Sequence, residues 1–171
     1  MTLNYHHRQA AGFTLIELVV TVTIVAILGS AIFPMMQLNI KRAKESELRA
    51  DLRQMREAID AYKKAVDDGK IKKTIEQSGY PPNLEVLVNG IADEKDINKK
   101  KIKFLRRIPV DPVRTRDFSS SVADNRIDAA DGWGLRSYQS EASNPSAGDD
   151  VYDIYSLSTG VGINGIPYVQ W

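Results

Sequence analysis

Between Phe13 and Phe33 the chain reads FTLIELVVTVTIVAILGSAIF, an apolar run whose only ionisable side chain is Glu17. As an α-helix rising about 1.5 Å per residue, the run is roughly 30 Å long, the hydrocarbon thickness of a bilayer. It can therefore cross a membrane once. Its flanks orient it weakly: MTLNYHHRQAAG holds Arg8 and no acid, while Lys41, Arg42 and Lys44 follow the run together with Glu45 and Glu47. A secretory signal peptide has a shorter apolar core and small residues after it; here Ala10, Ala11 and Gly12 come first. A plain single-pass anchor gives no reason for a carboxylate five residues into hydrocarbon.

The remainder of the 171 residues is amphipathic or polar, enough for one domain carrying an apolar appendage. The 23 basic and 22 acidic residues nearly cancel, so no global field recruits nucleic acid, and no nucleic-acid partner is expected. Cysteine is absent, which removes disulfides, thiolate metal sites and thiol nucleophiles and leaves the redox compartment open. With no glycine-rich phosphate loop and no metal-ligand spacing, an enzyme is not expected.

From Leu38 to Val66 the apolar residues Leu48, Leu52, Met55, Ile59, Tyr62 and Val66 recur every three or four positions, the stripe of an amphipathic helix, with Gly69 placed as its C-terminal cap. Lys44, Glu47, Asp51, Arg53, Glu57 and Lys64 form the opposite face. The stripe is read as the inner face of a helix on a sheet, the alternative being a coiled-coil seam some three heptads long. Pro34 predicts a kink or local melting over Gly29–Pro34, or else a simple helix stop. GYPPNLEVL, residues 79–87, predicts a turn feeding a short helix. Asp93 to Arg107 reads as a solvated basic loop, in preference to a specific anionic contact, and Val113 to Gly132 as another loop. Val151–Leu157 alternates and reads as a strand, and GIPYVQW closes the chain.

Gly12-Phe13-Thr14-Leu15-Ile16-Glu17-Leu18-Val19-Val20 resembles the processing and methylation motif shared by type IV pilins and type II secretion pseudopilins. The YPPNLEVL, IPVDP, WGLRSY and YDIYSL segments are similar to those of the major pseudopilin family, IPVDP to its proline-rich entry and Trp133–Tyr138 to its first strand, and many pilins differ in closing a C-terminal loop with cysteines. The resemblance implies an α+β, pilin-like fold: a leader over 1–12, a transmembrane and fibre-core helix over 13–34, and a globular periplasmic domain over 35–171. That domain includes an amphipathic helix, 35–68, on a small antiparallel sheet of two to four strands.

It further implies cleavage after Gly12 by a prepilin peptidase, which would remove His6 and His7, the only histidines, and N-methylation of Phe13. Glycine gives the cut site an unhindered backbone. Glu17 would pair with the Phe13 ammonium of an adjacent subunit and set the register of a fibre, because an unpaired charge is costly in hydrocarbon. Pro34 lies where the family commonly has a proline. The implied partners are copies of the chain and other pseudopilins, an inner-membrane assembly platform, and membrane lipid before assembly. The implied location is the inner membrane, single pass, with the N-terminus cytoplasmic. A secretion pseudopilus is the expected assembly, a type IV pilus the alternative, and a merely anchored protein a remote one.

One departure concerns calcium. The family's strand like YDIYSL is followed by an acid-rich calcium loop, whereas Ser158 to Gly165 reads STGVGING and no carboxylate side chain occurs from Ser156 to Trp171. Calcium takes six to eight oxygens, usually several of them carboxylate, so neither metal nor cofactor is expected. Asp149, Asp150 and Asp153 are read as solvated acids bordering a strand.

Overall fold

Thr14 starts the long helix. In the computed structural model, which describes residues 12–114 and 129–171, its Oγ1 accepts the Glu17 N–H at 3.3 Å and its carbonyl accepts the Leu18 N–H at 3.1 Å. Thr14-Leu15-Ile16-Glu17 thus has the spacing of a capping box, with Glu17 at the third helical position. Helix α1 then runs Leu15–Asp67. It ends one residue before the expected boundary, where Gly69, at φ +70°, donates to Val66 O and Lys70 donates to Ala65 O, both at 2.9 Å. This is the Schellman pattern, and it requires the positive φ that glycine supplies without strain.

Of the kink or local melting expected near Pro34, and the alternative helix stop, neither melting nor a stop occurs: α1 is continuous through Gly29–Pro34. A proline forfeits only the bond to the carbonyl four residues back, and the turns on either side remain bonded.

By their contacts the residues fall into two units, 1–40 and 41–171. In the first, every described side chain from Phe13 to Ile40 is exposed. Three hydroxyls in this apolar stretch bond back onto their own helix: Thr21 to Leu18 O at 2.9 Å, Thr23 to Val19 O at 2.7 Å and Ser30 to Ile27 O at 2.8 Å.

The second unit holds the core. The predicted stripe Leu48, Leu52, Met55, Ile59, Tyr62 and Val66 is buried, and it packs with Leu84, Leu87, Leu105, Trp133, Val151, Ile154 and Tyr168. The turn at Pro81–Pro82 leads into α2 (Glu85–Asn89), whose Val86 N–H is accepted by Asn83 Oδ1 at 3.1 Å. Leu87 O then accepts from both Phe104 N and Leu105 N at 2.9 Å.

The strands form two separate two-stranded antiparallel sheets where a single small sheet was expected. Strands β1 (Ile91–Ala92) and β2 (Lys101–Ile102) pair in one. Strand β2 lies within the stretch read as solvated loop, so that reading is corrected: Ile102 pairs with Ile91 and ties the basic segment down. Strands β3 (Trp133–Arg136) and β4 (Asp153–Ser156) form the other, with Gly134 opposite Tyr155 and Leu135 opposite Ile154. The closing segment is a turn of 3₁₀ helix, Tyr168–Gln170, after a bridge between Val161 and Pro167. Residues 1–11, most of the leader, and most of the Val113–Gly132 loop lie outside the described residues.

Candidate functional site

The N-terminal end is built for contact with something outside the chain. Phe13 is 80% exposed, and Leu15, Ile16, Leu18, Val19, Val20, Val22 and Ile24 are each at least half exposed. An eighteen-residue apolar window of α1 holds no buried residue, and α1 is long and apolar enough to cross a membrane. Burying apolar surface is worth about 25 cal/mol per Å², so a sleeve of this kind is stable only against lipid or other protein.

The capping arrangement puts Glu17 one turn into the helix, four positions from Phe13. A carboxylate there lies near the positive end of the helix dipole. Its side chain has no ion-pair or hydrogen-bond partner among the described residues. Gly12 lies before the helix in open space, with nothing near an added Cβ. The structure therefore brings Gly12, Phe13 and Glu17 together at one helix end, while Pro34 lies inside α1, away from them.

At the C-terminal end, Glu45 was passed over in the sequence as a flanking charge. It is buried, and its Oε1 accepts the Ile163 N–H at 2.8 Å and the Tyr168 O–H at 2.9 Å. These bonds attach the STGVGING loop to α1. The loop also closes on itself, Gly162 N donating to Ile166 O at 2.9 Å and Tyr168 N to Gly160 O at 3.1 Å. Burial, with the Glu45 carboxylate beside it, pushes the Tyr168 phenol up to about 12.

Two of the acids read as solvated are structural. Asp153 accepts from Arg56 Nε at 2.7 Å and Arg136 at 3.2 Å, joining α1 to both strands of its sheet. Asp150 accepts from Ser78 Oγ, from Ser137 Oγ at 2.8 Å and from the Tyr138 N–H at 2.9 Å. Burial raises the Asp150 pKa, but the three hydrogen bonds, Ser78 foremost, outweigh it and hold the group below its usual 3.8. Asp149 alone of the three is exposed. No group of three or more potential metal-ligating side chains occurs among the described residues.

Comparison with known proteins supplies the family. The prokaryotic N-terminal methylation motif matches residues 7–33. The type II secretion system core protein G of Pseudomonas aeruginosa is 32% identical over 111 residues, covering 61% of this chain and 69% of the relative. The chain belongs to the type II secretion core protein G family. The core protein G of Klebsiella pneumoniae is 30% identical over 109 residues, covering 61% of this chain and 70% of its own. That of Vibrio cholerae is 30% identical over 105 residues, covering 61% and 66%. No solved structure matches. For a core protein G, the exposed apolar sleeve and the methylation motif are one site: the motif defines the end of the helix that the sleeve continues.

Proposed function

We propose that this chain is a structural subunit of a periplasmic pseudopilus, inserted in the inner membrane as a precursor and polymerised through α1 to drive type II secretion. The observation that carries this is the uncovered apolar sleeve of α1 with one carboxylate, Glu17, a single turn from the N-terminal end. A sleeve with no such charge would suffice for an anchor.

In this reading a prepilin peptidase cuts after Gly12, and N-methyl-Phe13 becomes the first residue. Lipid covers the sleeve first, with the N-terminus cytoplasmic and residues 35–171 periplasmic. Other copies of the chain, other pseudopilins and the assembly platform replace lipid on polymerisation. Glu17 then meets the Phe13 ammonium of a neighbouring subunit in a water-poor core, where breaking a buried ion pair typically costs about 3 to 5 kcal/mol. The subunit works without a catalytic centre, and without calcium at the STGVGING loop, because Glu45 holds that loop and Asp150 and Asp153 are engaged within the fold.

The test is fractionation of sheared fibres against membranes for Glu17→Ala and Glu17→Gln. Both variants are expected to be processed, inserted and folded, and to be missing from the fibre fraction. Wild-type fibre yield from Glu17→Ala would rule out the register role, and loss of insertion would make Glu17 a topology determinant instead.

A further inference from the structure

The closing segment of the chain is apolar where it meets water. Charged side chains make up 26% of the sequence, yet none occurs from Ser156 to Trp171. Within that stretch Leu157, Val161, Ile163, Ile166 and Val169 are each 41 to 46% exposed. The fold fixes this exposure: Val161 bridges Pro167, Gly162 N donates to Ile166 O at 2.9 Å, and Glu45 holds the Ile163 N–H at 2.8 Å. The loop is therefore a preorganised apolar surface that needs no ordering on contact.

The helix beneath the loop surrounds it with positive charge. At about 100° per residue, Lys41, Arg42 and Arg49 lie within about 60° of Glu45, on which the loop rests, and Lys44 lies about 100° round. Among the described residues Lys41, Arg42 and Lys44 form no ion pair, and Arg49 covers the Trp171 ring, 4.3 Å from its centroid. The acids of α1 lie elsewhere. Glu47 and Asp51 are about 160° and 120° from Glu45, and Glu57 and Asp60 are about 18 Å or more further along the helix. Glu45 itself is buried and engaged, as is Asp111 at the start of the loop, which accepts from Ser156 Oγ at 2.6 Å and from the Val113 N–H at 2.9 Å.

Lys41 follows Phe33, the end of the apolar run, by eight positions of α1, about 12 Å of helical rise. Once the run is in a bilayer, so short a link holds the loop and its basic neighbours at high effective concentration beside the headgroups. We propose that this face is a membrane-docking surface, its occupant the anionic lipid surface into which the same chain inserts. The exposed apolar side chains enter the headgroup boundary, while Lys41, Arg42 and Lys44 meet lipid phosphates and lay their aliphatic stems along apolar atoms. Lipid supplies both halves at once, an acyl boundary for the loop and phosphate for the basic turn. The inference rests on the membrane-inserted precursor proposed above and adds a second contact, made by residues of the unit 41–171.

The test uses the full chain, which has no native cysteine, in vesicles of phosphatidylethanolamine and phosphatidylglycerol at less than one chain per vesicle. A bimane label is placed at Ile163→Cys or Val161→Cys, with Ile97→Cys, at a position 99% exposed between β1 and β2, as the control. Lipids spin-labelled high on the acyl chain are expected to quench both loop labels several-fold more than the control label. Lys41→Gln with Arg42→Gln, or phosphatidylcholine in place of phosphatidylglycerol, should lower that quenching about twofold or more, with insertion and melting temperature unchanged. Loop labels quenched no more than the Ile97 label, or quenching indifferent to both charge changes, would overturn the docking proposal while insertion of the sleeve stands. Quenching that appears only when chains are crowded into one vesicle would overturn it too, because the occupant would then be a second copy. A full chain that does not enter the vesicles would overturn both the docking and the precursor reading.

Discussion

Glu45 and Tyr168 lie 123 positions apart in sequence and share a buried 2.9 Å hydrogen bond that ties the last loop of the chain to its first helix. The phenol is pushed up to about 12 from 10.0. A group with a raised folded pKa contributes stability that is fully present below its unfolded value and is lost as pH rises through the folded one. Melts of residues 41–171 are thus expected to hold steady up to about pH 10 and to fall between about 10 and 12. Two units correspond to on the order of 3 kcal/mol. Tyr168→Phe should flatten that decline, and Glu45→Ala, which orphans the buried Tyr168 hydroxyl and the part-buried Ile163 N–H, should cost about 1 to 3 kcal/mol at neutral pH. An unchanged alkaline profile for Tyr168→Phe would show that other groups govern it.

Asp153 joins three elements through one carboxylate, with Arg56 on α1, Arg136 on β3 and the Ile154 N–H on β4 at 2.8 Å. Asp153→Ala removes the acceptor and deprives both guanidinium groups of their ion pair, Arg56 keeping only the Ile154 and Trp171 carbonyls. With the partners part-exposed, water recovers some of the loss, and about 2 kcal/mol is expected. A melting point lowered by roughly 5 to 10 °C is the corresponding reading, and a change under 1 °C would show that the arginines find equivalent partners.

Processing is read by intact mass. The mature chain is expected to begin at N-methyl-Phe13, and replacing Gly12 by a bulky residue should cause precursor to accumulate. A dominant species retaining Met1 to Gly12 in cells with active prepilin peptidase would contradict the assignment.

Calcium is expected to matter little. A melt of residues 41–171 should shift by less than a few degrees between calcium and chelator, because linkage requires ligand well above its dissociation constant. Any site using Asp150 or Asp153 must first break the hydrogen bonds they already make. A large saturable shift at micromolar calcium would reveal a site built from other oxygens.

What the sequence discloses is what repeats locally. The stripe from Leu48 to Val66 and its Gly69 cap were legible because helix periodicity and a positive-φ cap are short-range signals. Strand β4 showed as alternation, β3 through the resemblance of WGLRSY to a family segment, and the methylation motif as a contiguous string. Strands β1 and β2 did not show, since two residues carry no period and the Lys-rich surroundings of Ile102 resemble any solvated loop. The anchoring roles of Glu45, Asp150 and Asp153 were equally hidden: their partners Ile163, Ser78 and Arg56 lie 118, 72 and 97 positions away. The N-cap at Thr14 was a local signal within reach, overshadowed by the longer motif that contains it.

Thr21, Thr23 and Ser30 have consequences beyond their own turns. Each hydroxyl already donates to a carbonyl of α1, so none reaches outward for a stranger. A helix so self-contained can trade acyl chains for protein neighbours, or the reverse, without making or breaking a polar bond along that stretch. In the proposed assembly such an exchange would be nearly neutral in either direction, and its sense would be left to the one carboxylate near the end.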